Sequence, residues 1–190
     1  MTTPAAIAIG CSAGGVDALM TLLGALDARL RQSVLVCCHR SDAMDILGDV
    51  LGRMSVLPVI EAVERQPVQA GVVHLAPSGY HLLVESDLHF ALSADPRVNY
   101  SRPSIDVLFC SAAEVWRQAL IGVILTGANA DGAAGLQRIR ELGGVAIVQS
   151  PTDAEATAMP QAALDMAGAD YCLPLPDIAP LLNRLCLGSL

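Results

Sequence analysis

The amino-acid sequence predicts an α/β fold: a doubly wound, mostly parallel sheet of about seven strands, with helices on both faces and a β-hairpin excursion in the middle. Short apolar, β-branched runs alternate with segments whose apolar residues recur at helical spacing. Hydrophobic residues make up 53% of the 190-residue chain and charged residues only 16%, a balance that suits parallel strands buried on both faces. Glycine-rich turns directly follow two of the apolar runs, as is typical where a strand leads into a helix.

The first third of the chain predicts a βαβαβ unit. Its elements in order are a strand over 5–9, a helix over 16–26, a strand over 33–37, a helix with Ile46, Val50, Leu51 and Met54 on one side, and a strand over 56–63. Crossovers in such a unit are right-handed and its strands are parallel. The loops after the first and second strands then lie side by side at the carboxyl edge of the sheet, so we expect Ser12 and His39 to be neighbours.

The rest of the chain predicts the hairpin and then a return to parallel order. A strand over 72–77 precedes a hairpin of 80–84 and 88–92, a polar loop over 94–103, and a helix that Ser104 caps. Then follow a strand over 120–125, a helix over 133–142, a strand over 145–148, a helix from Pro160 to residue 167, a short strand over 171–173 and a closing helix over 177–187. No repeat or linker interrupts this order, so we expect one domain over residues 1–190.

Composition and charge exclude several classes of function. A net charge of −8 and a pI of 4.7 argue against binding to a nucleic-acid backbone. All 11 basic residues are arginine, which rules out sites that depend on a lysine. The 6 cysteines include no C-x-x-C pair, so neither a zinc site nor a disulfide framework is indicated. No apolar run reaches the ~18 residues that span a bilayer, and the N-terminus lacks a signal-peptide pattern. We therefore expect a cytoplasmic protein with no membrane insertion.

The turn after the first predicted strand has the spacing of a nucleophile turn. Gly10-Cys11-Ser12-Ala13-Gly14-Gly15 follows the apolar run and matches the Gly-x-Ser-x-Gly pattern of serine hydrolases. Its glycines permit a tight turn, and the first free N–H groups of the coming helix favour developing negative charge beside Ser12. The alternative is an ordinary strand-to-helix turn in which Ser12 caps the helix.

Two further polar residues that follow predicted strands complete a catalytic pattern with Ser12. A serine hydroxyl needs a base for its proton, histidine has a suitable pKa, and a carboxylate fixes the histidine tautomer. His39 and Asp131 supply these groups. Each also has a structural interpretation, His39 as a satisfied histidine at a strand end and Asp131 as the cap of the helix that begins at Ala133. The other three histidines are expected to be surface or strand residues without a clear partner: His74, His81 and His89.

Six segments together make the chain resemble the catalytic domain of the bacterial chemotaxis protein-glutamate methylesterases, the CheB family. Residues 7–15 resemble the family's I-G-A-S-T-G-G nucleophile turn, and His39 matches the histidine that ends the second strand. Residues 125–133 resemble its L-T-G-M-G-x-D-G segment, with Asp131 as the triad aspartate. The other matching segments lie at 75–84, 102–109 and 158–163. The matches occur in order along nearly the whole chain.

The resemblance implies a serine ester hydrolase that acts in chemotaxis signal adaptation. Ser12 would attack the carbonyl of a glutamyl methyl ester on the cytoplasmic helical bundle of a methylated chemoreceptor. His39 would act as general base and Asp131 would orient the imidazole. The same chemistry would deamidate receptor glutamines. The resemblance implies neither a metal nor an organic cofactor.

The chain departs from the family pattern within these segments. Ala13 replaces a common threonine after the nucleophile, Ala128 replaces the methionine of the aspartate segment, and Asn129 replaces the glycine after it. The backbone N–H groups of Ala13 and Ala128 remain as candidate oxyanion donors, and the loss of one such donor costs ~10²–10³ in rate. Family members usually also carry an N-terminal receiver domain. Only a few residues precede the first strand here, so we expect none in this chain and count a separate receiver protein among the candidate partners.

Two other functions stay open on the sequence. Gly10-x-Ser12-x-x-Gly15 is a degenerate dinucleotide fingerprint, and Arg40 could meet the 2′-phosphate of NADP, although Ser12 replaces the second glycine of that motif. A member that has lost activity would instead dock on a receptor or another signalling protein without hydrolysing it, an alternative that the departures motivate. Arg40 and Arg102 are candidate docking residues for an acidic receptor.

Overall fold

The computed structural model describes residues 3–39 and 46–188. The strands within them are β1 (Ala6–Cys11), β2 (Ser33–Cys38), β3 (Val59–Glu61), β4 (Val73–Leu75), β5 (His81–Val84), β6 (Phe90–Ser93), β7 (Leu120–Ile124), β8 (Val145–Gln149) and β9 (Tyr171–Leu173). The helices are α1 (Gly15–Gly24), α2 (Leu47–Met54), α3 (Ile105–Trp116), α4 (Ala133–Glu141), α5 (Ala158–Met166) and α6 (Leu175–Leu187), and a short 3-10 helix over Arg117–Ala119 precedes β7.

Seven of these strands form one sheet with the order β3-β4-β2-β1-β7-β8-β9. Each neighbouring pair in it is parallel, and β1 lies at the centre between β2 and β7. The two halves of the chain extend the sheet in opposite directions from β1, which opens a crevice at the carboxyl ends of the central strands. The predicted doubly wound, mostly parallel fold is confirmed.

A hydrophobic core fills the space on each face of the sheet. On one face, Ile7 and Ile9 of β1 pack with α1, α2 and α6, whereas Ala6 and Ala8 pack on the other face with α3, α4 and α5. This alternation follows from the pleat, because successive side chains of a strand point to opposite faces. Small residues on the second face let α3 lie close to the sheet, since a Cβ added at Gly10 would collide with the first residue of α3.

The predicted hairpin excursion is present as a separate two-stranded sheet. β5 and β6 pair antiparallel, with His81 opposite Ser93 and Val84 opposite Phe90. β5 packs against α3, so the hairpin covers the outer side of that helix. The end of β6 leads directly into the loop over residues 94–104, which brings this loop to the start of α3.

The prediction for the second helix is correct for Leu51 but wrong for Ile46 and Met54, which it places on the same side. α2 buries Leu47 and Leu51, whereas Ile46 and Met54 are exposed. Residues four apart share a face of a helix, and the core selects the face of Leu47 and Leu51. The third strand is also shorter than predicted and covers only Val59–Glu61. In the described part of the chain, no helix is long and apolar enough to cross a membrane.

His74 corrects the expectation of a histidine without a clear partner. The residue lies in β4, as predicted, but its side chain is fully buried, with its ring 5.0 Å from that of Phe90. Nε2 accepts a hydrogen bond from the Gln69 N–H at 3.3 Å, while Nδ1 has no partner among the described residues. Burial lowers the pKa of His74 to about 4, because desolvation disfavours the charged imidazolium.

We expect His74 to make the protein sensitive to acid. Its pKa is 6.5 in the unfolded chain and about 4 in the folded one, so the unfolded state binds the proton more readily between these pH values. The contribution of neutral His74 to the free energy of unfolding is therefore complete above pH 6.5 and decreases as the pH falls toward 4. In urea titrations, the free energy of unfolding should fall between pH 7.5 and 5.0 by up to about 2 kcal/mol more for the wild type than for His74→Gln.

The control for this experiment is His89→Gln, which removes an exposed histidine that pairs with Asp87. It should keep the pH dependence of the wild type. Parallel pH profiles for the wild type and His74→Gln would contradict the prediction.

Candidate active site

The turn between β1 and α1 places Ser12 before the N-cap residue of the helix. β1 ends at Cys11 and α1 begins at Gly15, with Gly14 as the N-cap residue at φ 74°, a left-handed conformation that favours glycine. Among the described residues, no side chain caps α1, so the interpretation of Ser12 as a helix cap is wrong. The half-buried Ser12 side chain makes no hydrogen bond to a described residue.

Three loops meet around this serine at the carboxyl edge of the sheet. Cys11 and Cys38, the last residues of β1 and β2, are direct neighbours, and the His39 N–H donates to the Cys11 carbonyl at 3.0 Å. The Ser12 N–H donates to the carbonyl of Thr126, in the loop after β7, at 2.9 Å. The strand pairing therefore brings Ser12 and His39 to adjacent positions at this edge, as the sequence predicts.

His39 and Asp131 are in direct contact. His39 Nε2 lies 2.7 Å from Asp131 Oδ2, and the Asp131 side chain is fully buried. An ionised carboxylate can only accept, so we assign the proton to Nε2, which leaves Nδ1 as the basic nitrogen of His39. Nδ1 faces Ser101 Oγ and Asn129 Nδ2, each at 3.4 Å, and contacts of this length are weak.

The Asp131 carboxylate caps α3 and not the helix that follows it in sequence. It accepts hydrogen bonds from the Ile105 N–H at 2.7 Å and the Asp106 N–H at 3.2 Å, the first amides of α3. Ser104 Oγ also donates to it, at 2.8 Å. The N-cap residue of α4 is Gly132, and the Asp131 carboxylate accepts no hydrogen bond from the described amides of α4, so the interpretation of Asp131 as the cap of its own helix is wrong. The predicted cap of α3 by Ser104 is confirmed.

These contacts decide the ionisation of Asp131. Burial alone would raise its pKa, but the hydrogen bonds donated by His39, the start of α3 and Asn99 outweigh this effect, so the pKa of Asp131 is lowered below its ordinary value. Hydrogen bonds to the charged form and the positive end of a helix both favour a carboxylate anion. Asp131 is therefore ionised at neutral pH, the state that accepts the Nε2 proton of His39.

Asp106 supplies the cap that α4 does not receive from its own segment. Its Oδ1 accepts hydrogen bonds from the Gly132 N–H at 2.9 Å and the Gly135 N–H at 2.7 Å. Burial raises the pKa of Asp106, and the neighbouring charge of Asp131 adds to the increase. The Asn99 amide donates to both carboxylates, at 2.9 Å to Asp106 and 3.2 Å to Asp131. The N-terminal ends of α3 and α4 thus each bind a carboxylate from the other's segment.

Two exposed backbone amides lie in the loops that meet at the serine. The N–H groups of Ala13 and Ala128 make no hydrogen bond to the residues that the structure describes, whereas the adjacent N–H groups of Ser12 and Gly127 are both engaged. Free amides at the start of a helix and in a turn are suited to bind an anionic group. These are the two amides that the sequence predicts as oxyanion donors, and that role stays a prediction.

The Thr126 side chain fastens the serine turn to the loop after β7. Its buried Oγ1 donates to the Ala13 carbonyl at 2.9 Å and accepts from the Ala156 N–H at 2.8 Å. The Thr126 N–H in turn donates to Gln149 Oε1 at 2.9 Å. One hydroxyl therefore holds the backbone around Ser12 and the segment before α5 in a fixed relation.

Sequence analysis gives no role to Asn99, Ser101 or Asp106. Asn99 and Ser101 reach the site only because the loop over 94–104 folds back across the sheet edge, and Asp106 because the first turn of α3 lies against the start of α4. Spacing along the chain does not encode these contacts. No local sequence signal marks these three residues, since Pro103 directly precedes Ser104, the predicted cap of α3, and Ile105 directly follows it.

His81 is a further correction, because the sequence analysis expects it to lack a clear partner. The side chain is buried, and its Nδ1 accepts a hydrogen bond from the Ser104 N–H at 3.2 Å. Nε2 then carries the proton and donates to the Pro96 carbonyl at 3.1 Å. His81 therefore ties the loop to Ser104, whose hydroxyl binds Asp131.

Of the two candidate docking arginines, the structure describes Arg102 alone. Arg102 Nη1 donates to the carbonyls of Ala94 and Asp95, at 2.7 and 3.0 Å, so part of its guanidinium is used within its own loop. Arg40 lies outside the described residues. Among the residues with a described position, no group of histidine, cysteine and carboxylate side chains could hold a metal ion.

We expect Thr126→Val to weaken the attachment of the serine turn. The variant leaves the Ala13 carbonyl and the Ala156 N–H without their hydroxyl partner, which should lower the free energy of unfolding by about 1–3 kcal/mol in urea titrations. Thr21→Val is the matched control, since Thr21 Oγ1 is exposed and, among the described residues, donates only to the Asp17 carbonyl of its own helix. It should change stability by less than about 0.5 kcal/mol. Equal effects of the two substitutions would contradict the prediction.

Comparison with known proteins identifies a family that shares this sequence and fold. Residues 7–182 match the family model for CheB methylesterase. The crystal structure of the Thermotoga maritima CheB methylesterase catalytic domain superimposes with a TM-score of 0.92 at 29% sequence identity, covering 97% of this chain and 100% of that one.

Sequence relatives agree with the structural match. A Leptospira interrogans protein, provisionally named as a protein-glutamate methylesterase/protein-glutamine glutaminase, is 46% identical over 97% of this chain and 96% of its own length. Two longer relatives carry the same paired name. The one from Symbiobacterium thermophilum is 38% identical over 94% of this chain and 49% of its own length, and one from Cupriavidus metallidurans is 42% identical over 99% and 56%. The chain belongs to the CheB methylesterase family.

Proposed function

We propose that this chain is a protein-glutamate methylesterase that hydrolyses glutamyl methyl esters, and deamidates glutamines, on the cytoplasmic domain of chemoreceptors during signal adaptation. The observation that carries the proposal is the 2.7 Å contact of His39 with the buried Asp131, beside a free serine hydroxyl, in a chain of this family. In this proposal residues 1–190 act as one catalytic domain in the cytoplasm, and a separate receiver protein is a candidate regulator.

In the proposed mechanism, Ser12 Oγ attacks the ester carbonyl carbon while His39 Nδ1 takes the hydroxyl proton. The carbonyl π electrons move to its oxygen, and the N–H groups of Ala13 and Ala128 bind the resulting oxyanion. The bond to the methoxy group then breaks, and methanol leaves with the proton from Nδ1. Water, deprotonated by the same nitrogen, hydrolyses the glutamyl-serine ester and restores the free enzyme. With a glutamine substrate the leaving group is ammonia.

The surroundings of His39 support its role as the base. Asp131 accepts the Nε2 proton and stabilises the imidazolium that forms when Nδ1 is protonated. Ser101 Oγ and Asn129 Nδ2 each lie 3.4 Å from His39 Nδ1. In this proposal the Ser12 hydroxyl replaces these weak contacts when the substrate binds. Catalytic hydrogen bonds are often long before the substrate is present.

Dinucleotide binding is disfavoured by the position of Glu155. A Cβ added at Gly14 would lie 2.7 Å from Glu155 Oε2, so a carboxylate sits against the N-terminal turn of α1. A dinucleotide fingerprint places the pyrophosphate at that helix end, and the two negative charges would repel each other.

We expect a fluorophosphonate probe to label the protein on Ser12. Phosphonylation needs the general base, so His39→Gln should slow labelling by at least about 10³-fold, and Ser12→Ala should remove the adduct from the peptide that contains residue 12. Intact mass and peptide mapping give both readouts. Ser86→Ala, at the exposed turn of the β5–β6 hairpin, should label as the wild type does.

Two results of that experiment would refute the assignment. An adduct on Ser101, the other serine within reach of His39 Nδ1, would make it the nucleophile. No adduct on the wild type would favour the alternative of a docking module, which the substitutions at Ala13, Ala128 and Asn129 motivate.

We expect the protein to release methanol from the methylated signalling domain of a chemoreceptor. Asp131→Asn should lower kcat by about 10⁴-fold, because the amide no longer holds the Nε2–H tautomer of the histidine. Asp87→Asn, at an exposed carboxylate, is the control and should keep the wild-type rate. A wild type that forms the serine adduct but releases no methanol would point to a different ester as substrate.

A further inference from the structure

Tyr100 is an aromatic residue that the fold itself does not use. Its side chain is 96% exposed, so the ring adds almost nothing to the buried surface. The backbone at Tyr100 has φ 64°, directly after Asn99 at φ 50°. A tyrosine is strained in this left-handed region because its Cβ crowds the backbone, whereas glycine would adopt it freely.

The turn that carries Tyr100 is a tight hairpin. Val98 and Ser101 exchange two backbone hydrogen bonds, at 3.1 and 2.8 Å, around the two residues with positive φ. Asn-Gly is the pair that such turns prefer. The chain has the preferred Asn99 but keeps a tyrosine where glycine would relieve the strain, and strain of this kind points to a function of the side chain.

Both neighbours of Tyr100 touch the candidate catalytic residues. Asn99 Nδ2 donates to Asp131 at 3.2 Å, and Ser101 Oγ lies 3.4 Å from His39 Nδ1. The turn is therefore anchored on both sides to the groups around the basic nitrogen. Tyr100 is one residue away from a contact with that nitrogen and projects into solvent.

The rest of the loop is also held in place. His81 Nε2 donates to the Pro96 carbonyl, and Arg102 Nη1 donates to the carbonyls of residues 94 and 95. Arg97 Nη1 lies 3.4 Å from the carbonyl of Tyr100 itself. The ring thus stands at the rim of the site on a framework that is fixed before any substrate arrives.

We propose that Tyr100 is a substrate-recognition residue whose ring packs against an aliphatic side chain of the protein substrate, next to the glutamyl ester that enters the site. This inference rests on the proposed function. A tyrosine presents an apolar ring with a polar tip, which suits a contact at the edge of an interface. An aromatic anchor that is already held in its bound position loses little entropy on binding. A small ester lacks the surface that would reach the ring, so Tyr100 should act only on protein substrates.

The first test is the affinity of a methylated chemoreceptor signalling domain for the Ser12→Ala chain, measured with and without Tyr100→Gly. Glycine removes the ring and relieves the backbone strain, so a folding defect is not expected. The Kd should rise about 10-fold with Tyr100→Gly and stay within about twofold with Tyr100→Phe. Leu88→Gly is the matched control: Leu88 has φ 63°, is 44% exposed and lies at the far end of the β5–β6 hairpin, and its substitution should leave the Kd unchanged.

The second test uses chains with Ser12 intact. Tyr100→Gly should raise KM for the receptor more than it lowers kcat, and the ratio of kcat/KM for the receptor to that for p-nitrophenyl acetate should fall about 10-fold. An unchanged ratio would overturn the inference, since Tyr100 would then have no role that is specific to the protein substrate. An unchanged Kd, or no binding by the Ser12→Ala chain with Tyr100 in place, would overturn it too. A Kd that rises as expected while the wild type releases no methanol would support the recognition role and count against the proposed activity alone.

Discussion

The buried negative charge of Asp131 is the constraint on which the rest of the site depends. An ionised carboxylate that is removed from water costs several kcal/mol unless its oxygens are hydrogen-bonded. Among the described residues, the donors that satisfy it come from four places: the imidazole of His39, the Ser104 hydroxyl, the first turn of α3, and Asn99 in the loop over 94–104. Meeting this one requirement therefore fixes the start of a helix, the path of a loop and the orientation of the histidine ring.

Asp106 shows how the fold accommodates a second carboxylate next to the first. The pKa of Asp131 is lowered and that of Asp106 is raised, although the amides of a helix N-terminus bind each of them. Asn99 donates to both and so offsets part of their repulsion. Of the two carboxylates, Asp131, which contacts His39, therefore holds its negative charge more strongly. This difference is set by the folded structure, before a substrate binds.

Periodicity and turn chemistry in the sequence were sufficient to predict the sheet, its parallel order and the place of Ser12, His39 and Asp131 at the ends of its central strands, because these depend on short stretches of chain. Contacts between distant segments were not predictable in this way. Asn99 and Ser101 join the site only when the loop over 94–104 folds across the sheet edge, and no local pattern marks that path. The buried face of the second helix was not fully predictable for a related reason. Its apolar residues define two possible faces, and only the assembled core selects one.

The departures from the family pattern fall into two physical kinds. In the proposed mechanism, Ala13 and Ala128 act through their backbone N–H groups, and an amide survives any change of side chain except to proline. Asn129 is different, because its side chain contacts the His39 nitrogen that is the proposed base. Its Oδ1 accepts a hydrogen bond from the Asp131 N–H at 3.2 Å, which directs Nδ2 toward His39 Nδ1 at 3.4 Å. A donor at Nδ1 stabilises the neutral imidazole and would compete with the serine proton that Nδ1 accepts in the proposed mechanism. We therefore expect Asn129 to contribute more than Ala13 or Ala128 to any difference in activity between this chain and its relatives.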